Sequence, residues 1–297
     1  MNEKVKNRYK PYRFSINQGT TIIDSSSGKF IIKQKTQDLA TLFNYLDSKG
    51  FYNHPVIDFD YKNESYVTKF VEEDFIIKEQ KEIEFAKIVA SLHNKTVFFK
   101  ETSTDNYKEI YEIVQENINY MQVFYEGLFL NNLKKEFQSP SEYLFNRNYY
   151  KIKSALAFAK DKLDSWYENV NKENMRVSII HNNLSLNHFI YNVNESIITS
   201  WDKYRIDSPI IDIINYYKTD FDSSNFKSFL KEYFRCFDLL ESEKDLLFII
   251  LALPIPLKID NTSEFEKTRI VKNVINYIYK TESIIRPYYS ENKEKQE

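Results

Sequence analysis

The stretch from Val177 to Ile213 constrains the fold more than any other part of the chain. Apolar and polar runs alternate in it, and each run has the length of a short structural element. In order, the stretch predicts a buried strand at Val177–Ile180, a polar loop at His181–His188, a hairpin of Phe189–Val193 and Ile197–Trp201, a second polar loop at Asp202–Asp207, and a helix start at Ser208-Pro209. Polar loops held between buried elements are where a functional site is expected.

This stretch resembles the aminoglycoside phosphotransferase and choline kinase branch of the protein-kinase-like fold, and within it the bacterial spore-coat kinase-like proteins. Members carry His-Gly-Asp, an Asn five residues after that Asp, a hairpin, Ile-Asp-Trp or Ile-Asp-Phe, and then Asp-Pro-x-x-Asp-Leu. This chain has His181, Trp201 and Ser208–Ile213 in matching order and spacing. The resemblance covers most of the chain, and it is looser in the first third. It implies a phosphotransferase that uses ATP and Mg²⁺ on a small hydroxylated substrate.

The first departure from the pattern concerns the catalytic base. Asn183 stands where the resemblance implies the Asp that accepts the proton of the substrate hydroxyl. An amide carries no negative charge and cannot act as a base near neutral pH. His181 matches the pattern, and the resemblance implies that it packs beneath the loop.

The second departure concerns the implied metal ligands. His188 stands in place of the metal-binding Asn, although Asn187 is adjacent and could substitute after a shift of one residue. Ser200 stands in place of the metal-binding Asp, and a hydroxyl is a weaker Mg²⁺ ligand than a carboxylate. Asp202 lies two residues later and could reach the site through a local bulge. These replacements predict a degenerate active site.

One acidic residue of the pattern is kept. Asp212 matches the acid that, in kinase-like folds, braces the catalytic loop through hydrogen bonds and does no chemistry. Its presence beside altered catalytic positions implies that the loop architecture was kept while the catalytic charges were dropped.

The first 75 residues predict a small α/β lobe. Strand-like runs occur at Arg13–Ile16, Thr20–Asp24 and Phe30–Lys33, with turns at Gly19 and at Ser25–Gly28. Lys33 stands where the kinase-like fold carries the lysine that contacts the α- and β-phosphates of the nucleotide. The alternative is a solvated lysine at a strand end. Asp38–Lys49 has the apolar spacing of a helix that Gly50 ends.

The rest of the chain predicts a helical lobe. Amphipathic helices are expected at Tyr107–Leu133, Glu142–Trp166, Phe226–Phe237, Glu241–Leu251 and Thr268–Tyr279. The predicted fold is therefore α+β and protein-kinase-like, with an N-terminal lobe over residues 1–75 and a helical C-terminal lobe over residues 76–297. The second lobe carries the catalytic-loop-like stretch 177–213.

Composition and motifs exclude several other classes. The formal net charge of −2 provides no basic field for nucleic acid, and no apolar run approaches the roughly 20 residues of a membrane span. The single cysteine, Cys236, fits a reducing compartment, and no signal peptide is evident, so a cytoplasmic location is expected. His181 and His188 lack a third ligand nearby, which argues against zinc.

Three functions stay open at this stage. The leading hypothesis is a degenerate, pseudokinase-like protein that acts by binding an unknown protein partner. The alternative is an active ATP-dependent phosphotransferase for a small hydroxylated metabolite, with Asp202 for Mg²⁺ and Lys33 for phosphates. A third hypothesis, a component of a spore or cell-surface assembly, follows from the resemblance alone.

Overall fold

The computed structural model describes residues 3–17, 20–61, 65–170, 172–259 and 262–294. The strands are β1 (Arg13–Asn17), β2 (Thr20–Ser25), β3 (Gly28–Gln34), β4 (Ile57–Tyr61), β5 (Ser65–Lys69), β6 (Phe98–Glu101), β7 (Asn174–Ile180), β8 (Phe189–Ile190), β9 (Ile197–Ile198) and β10 (Arg205–Asp207). The helices are α1 (Glu3–Tyr9), α2 (Leu39–Ser48), α3 (Lys78–Thr96), α4 (Thr104–Leu133), α5 (Pro140–Asn169), α6 (Ile210–Asp220), α7 (Phe226–Cys236), α8 (Glu241–Ala252) and α9 (Glu264–Glu294).

The chain forms two compact units. The first unit comprises Met1–Val97, Ser178–Asp207 and Ser228–Phe237, and the second comprises Phe98–Val177, Ser208–Lys227 and Asp238–Glu297. The first unit thus extends past the predicted lobe 1–75, because it also holds α3 and most of the polar-loop stretch. The lobe boundary after residue 75 stays a prediction.

The first unit is built on a five-stranded antiparallel sheet of order β1-β2-β3-β5-β4. The predicted strand runs and the turn between β2 and β3 are confirmed. The predicted turn residue Gly19 lies outside the described residues. Helix α1 was not predicted from the sequence; its Val5 and Tyr9 are one helical turn apart and pack on Ile23, Phe30 and Val67 of the sheet.

The predicted helix after Lys33 is α2, and its ends follow local rules. Asp38 is the N-cap: its carboxylate accepts hydrogen bonds from the backbone N–H and from the hydroxyl of Thr41, the latter at 2.7 Å. Gly50 has φ of 75°, the left-handed conformation that ends helices and that glycine adopts without steric cost. The sequence predicted a helix over Asp38–Lys49 that ends at Gly50, and the helix differs from that range by one residue at each end.

The predicted hairpin exists but is shorter than expected. Its strands β8 and β9 have two residues each and pair as Phe189 with Ile198 and Ile190 with Ile197. Beyond them the side chain of Asn192 accepts hydrogen bonds from the backbone N–H groups of Asn194 and Glu195, at 3.0 and 3.1 Å. These hydrogen bonds to the Asn192 side chain hold the turn in place of the backbone hydrogen bonds that longer strands would form.

The second unit is mainly helical. The two 30-residue helices α4 and α5 pack against each other, and α5 also packs on α8 and α9. Ser139 and Glu142 form a capping box that begins α5. The predicted helix start at Ser208-Pro209 is displaced by one residue: α6 begins at Ile210, and Pro209 is its N-cap. Within the described ranges, no helix is both long and apolar enough to cross a membrane.

Candidate active site

The polar loop after β7 is held from below by His181, which is completely buried. Its Nε2–H donates a hydrogen bond of 2.9 Å to the carbonyl of Thr199, and its ring meets the Trp201 ring edge-on at 4.8 Å between centroids. The proton is on Nε2, because a carbonyl oxygen can only accept. His181 therefore joins the loop to the segment after β9 from within the core.

His188 makes a second connection within the same loop. Its Nδ1–H donates to the carbonyl of Asn183 at 2.7 Å, and its own carbonyl accepts from the Thr199 N–H at 2.7 Å. In a neutral ring, this tautomer leaves the lone pair on Nε2. An imidazole nitrogen suits transition metals, whereas Mg²⁺ requires oxygen. The position that the resemblance assigns to a Mg²⁺ ligand thus presents the wrong donor atom.

Two residues of the stretch have left-handed backbone conformations. Asn182 has φ of 57° and donates from Nδ2 to the carbonyl of Lys203 at 3.1 Å. Asparagine is one of the few residues that adopt this conformation readily, so it can stand where the pattern has glycine. Ser200 has φ of 66°, which is less favourable for serine. Both of these altered positions therefore have a left-handed backbone.

Asp202 is held by residues that precede α2. Its Oδ1 accepts a hydrogen bond of 2.9 Å from the Thr36 hydroxyl, and its backbone carbonyl accepts one of 2.7 Å from Gln37 Nε2. The side chain of Trp201 points the other way, into the core, where its indole N–H donates to the carbonyl of Ile198 at 2.7 Å. These bonds fix a carboxylate on the segment that lacks one at Ser200.

The carboxylate of Asp202 acts electrostatically on two residues of the sheet. Burial lowers the pKa of Lys33, and the negative charge of Asp202 partly opposes that decrease. Burial also raises the pKa of Tyr66, and Asp202 raises it further. Lys33 and Tyr66 lie opposite each other on β3 and β5. The structure thus brings Lys33, Tyr66 and Asp202 together, although neither of the first two is near Asp202 in sequence.

The lowered pKa of Lys33 predicts a pH-dependent stability effect. A lysine whose pKa is lower in the folded state binds its proton more weakly there. Its unfavourable contribution is therefore complete below the lowered pKa and declines as pH rises through it towards 10.5, the ordinary value. We expect Lys33→Met to be more stable than wild type at pH 7 and the difference to shrink by pH 10. Urea unfolding at both pH values measures this.

A control separates charge burial from the general effect of losing a lysine. Lys203 is exposed, so Lys203→Met should change stability by less than about 0.5 kcal/mol at either pH. Asp202→Asn should destabilise the protein at pH 7, because it removes the charge that favours protonated Lys33. A Lys33→Met variant less stable than wild type at pH 7 would contradict the prediction.

The cleft beside Lys33 is nearly filled. Its cavity has a volume of about 20 Å³, and the residues that line it include Ile31, Lys33, Tyr66, Thr68, Ser200 and Trp201. That is room for about one water molecule, whereas small-molecule sites are typically of about 300–1,000 Å³. A cavity of this volume does not accommodate a nucleotide, and Asn183, His188 and Ser200 do not offer the carboxylates that Mg²⁺ prefers.

Asn187 and Asp212 are the remaining predicted site residues. Asn187 is exposed and lines an open cavity with Glu73, Asp74 and Leu186. Asp212 is completely buried in the first turn of α6, in the second unit. Its bracing role stays a prediction. Among the described residues, no group of three or more His, Cys, Asp and Glu side chains is arranged to hold a metal ion.

Sequence reasoning missed three residues that shape the site. Thr36 and Gln37 hold Asp202, and Tyr66 shares its electrostatic environment with Lys33. Thr36 and Gln37 were only the link between a strand and a helix, and their contacts span 166 and 165 residues. Tyr66 lies on β5, and its pairing with Lys33 depends on the register of β3 and β5.

Comparisons with solved structures identify the fold. The crystal structure of an aminoglycoside phosphotransferase from Alicyclobacillus acidocaldarius superposes with a TM-score of 0.73 at 11% sequence identity, covering 99% of this chain and 97% of that one. The AMP-bound complex of a spectinomycin phosphotransferase superposes with a TM-score of 0.56 at 12% identity, covering 93% of this chain and 96% of that one.

These similarities confirm the predicted protein-kinase-like α+β fold. At such identities they show the fold alone and carry no information on this chain's substrate. No protein-family model and no curated protein matches the sequence.

Proposed function

We propose that this protein is a kinase-fold protein with a degenerate phosphotransfer site, and that it acts by binding a partner protein in the cytoplasm. The observation that carries the proposal is the cavity of about 20 Å³ beside Lys33. A nucleotide needs a pocket more than ten times larger. Because Ile31, Tyr66 and Trp201 line this small space, we expect the cleft to admit ATP only after its walls move apart.

The chemistry of the loop supports the same proposal. The side chain of Asn183 cannot accept a proton from a substrate, and Ser200 offers a neutral hydroxyl where a metal would need an anion. The backbone of the loop is nevertheless held by His181 and His188 through hydrogen bonds to backbone carbonyls. An ordered loop that lacks the catalytic carboxylates is expected of a protein that binds a partner through its surface and does not transfer phosphate.

One observation favours an alternative, an active ATP-dependent phosphotransferase acting on a small hydroxylated metabolite. The charge of Asp202 acts on Lys33, and Asp202 is fixed in place by Thr36 and Gln37. This carboxylate could therefore take over part of the role of the acid that is missing at Ser200. A role in a spore or cell-surface assembly stays a prediction from the resemblance.

Nucleotide binding distinguishes the two candidates. We expect calorimetry with ATP to show millimolar affinity or none, unchanged by Mg²⁺, because the cleft is filled. Micromolar binding that requires Mg²⁺ and is lost in Asp202→Ala would contradict the degenerate site and favour the enzyme. The matched control is Asp207→Ala, which removes a carboxylate of the same segment from an exposed ion pair with Arg205.

Restoring the missing base gives a second test. If the protein transfers phosphate slowly without a base, Asn183→Asp should raise the rate by a factor of about 10²–10⁴. If the cleft excludes nucleotide, Asn183→Asp and wild type should both show no turnover above background. Phosphate transfer from labelled ATP to pooled small alcohols and amino sugars, followed by mass spectrometry, measures the difference.

A further inference from the structure

Helix α4 has two apolar faces, and among the described residues only one of them is buried. The buried face carries Tyr107, Val114, Ile118 and Tyr125, with the polar Asn132 near its end, and it packs on α5. On the opposite face, four large apolar side chains are between 50% and 74% exposed: Ile113, Tyr120, Val123 and Leu130. A surface helix normally needs one apolar stripe. The second stripe therefore calls for a partner outside this chain.

The spacing of the exposed stripe is that of a helix that packs on another helix. Ile113 and Tyr120 are seven residues apart, as are Val123 and Leu130, and Tyr120 and Val123 are three apart. A strict seven-residue repeat keeps one seam facing a partner helix along its length. Apolar side chains that are exposed without a partner have no reason to recur at a spacing of seven residues.

Gly127 lies on the same seam, seven residues after Tyr120. A Cβ at this position would meet no atom within 4 Å, so no packing within the chain requires glycine there. Glycine inside a helix costs about 0.5–1 kcal/mol relative to alanine. Close approach of a second helix at this point provides a reason for that cost.

We propose that the exposed seam of α4 binds the same seam of a second copy of this chain, with the two helices antiparallel. The seam is self-complementary about a two-fold axis between Met121 and Gln122. The pairs that this alignment brings together are Ile113 with Leu130, Tyr120 with Val123, Glu116 with Gly127, and Glu109 with Lys134.

Charge determines the direction of the pair. Glu109 and Lys134 are both exposed and lie at opposite ends of the seam. An antiparallel pair places each glutamate beside the lysine of the other copy, and it does so twice because of the two-fold axis. A parallel pair would bring like charges together at both ends. The apolar stripe, the glycine and the end charges are thus satisfied by one arrangement.

Sedimentation velocity over a range of protein concentrations tests for the dimer. We expect wild type to dimerise reversibly and Val123→Glu to raise the dissociation constant about 100-fold or more, because two carboxylates would be buried near the axis. Glu136→Gln changes an exposed residue outside the seam; this control variant should leave the dissociation constant unchanged. A wild type that stays monomeric at all concentrations would overturn the proposal.

Charge reversal tests the direction. Glu109→Lys and Lys134→Glu should each weaken the dimer about three- to tenfold, and the double variant should return to wild-type affinity. In a parallel pair the single reversals would only exchange one like-charge contact for another, with little effect. Circular dichroism confirms that α4 stays helical in each variant.

Disulfide trapping tests the register in a Cys236→Ser background. Ile113→Cys and Leu130→Cys should cross-link only when the two variants are mixed, since Ile113 of one copy lies opposite Leu130 of the other. Each variant alone should not cross-link, because its two cysteines would be roughly 26 Å apart along the helix axis. Cross-linking of Ile113→Cys with itself would show a parallel pair, and an absence of any cross-link would show that the seam does not self-associate.

Discussion

Replacement of Trp201 by alanine is expected to lower the free energy of unfolding by about 3–5 kcal/mol, the range of Trp-to-Ala changes in protein cores. The indole is 1% exposed and lies among His181, Phe43 and Phe51, with ring centroids at 4.8, 6.1 and 6.3 Å. Its N–H also donates to the carbonyl of Ile198. Truncation would leave a large cavity and an unpaired buried carbonyl. Urea unfolding followed by circular dichroism measures the loss.

Trp201→Ala is also expected to disturb the backbone of the candidate site, because Trp201 lies between Ser200 and Asp202. Trp201→Phe keeps an aromatic ring in the core and loses only the indole N–H and part of the volume, so it should retain more than half of the lost stability. Tyr52, another aromatic residue of the first unit, is 67% exposed, and Tyr52→Ala is the control. A loss below about 1 kcal/mol in Trp201→Ala would contradict the packing described here.

The second large effect is expected at the ion pair between Arg176 and Glu243, which are each 11% exposed. The guanidinium binds both carboxylate oxygens, and one of its nitrogens also donates to the carbonyl of Asp238 at 2.9 Å. The same carboxylate accepts the N–H of Leu240 at the start of α8. Glu243→Ala should therefore cost about 3–5 kcal/mol, because it deprives a largely buried cation of its partner and removes a helix cap.

A double-mutant cycle separates these two roles. Arg176→Met should cost less than Glu243→Ala, because the carboxylate continues to accept the Leu240 N–H. The double variant should be more stable than the sum of the single changes predicts, since neither buried charge is then left without the other. Glu241 lies in the same first turn but is 77% exposed, so Glu241→Ala should cost less than about 1 kcal/mol. If the losses of unfolding free energy in the two single variants add up to the loss in the double variant, the ion pair contributes no coupling energy.

The elements that depend on short-range rules could be predicted from the sequence. The capping by Asp38, the left-handed Gly50 and the amphipathic spacing of the long helices each involve residues within a few positions of one another. The replacements at Asn183 and Ser200 are also visible in the sequence, because they are changes of residue type at recognisable positions. The missed α1 has only two buried apolar residues, and this leaves little periodicity to detect.

Only the tertiary structure decided the environment of the site. The pKa of Lys33 is lowered by burial, and Asp202 is held by Thr36 and Gln37, which are more than 160 residues away in the chain. The filled cleft likewise results from side chains of separate segments meeting at one place. Residue identity determines what charge a side chain can carry, whereas burial and cavity volume depend on long-range packing. The sequence therefore determined which residue types stand in the polar loops, and the fold decided how deeply they are buried and how little space lies beside Lys33.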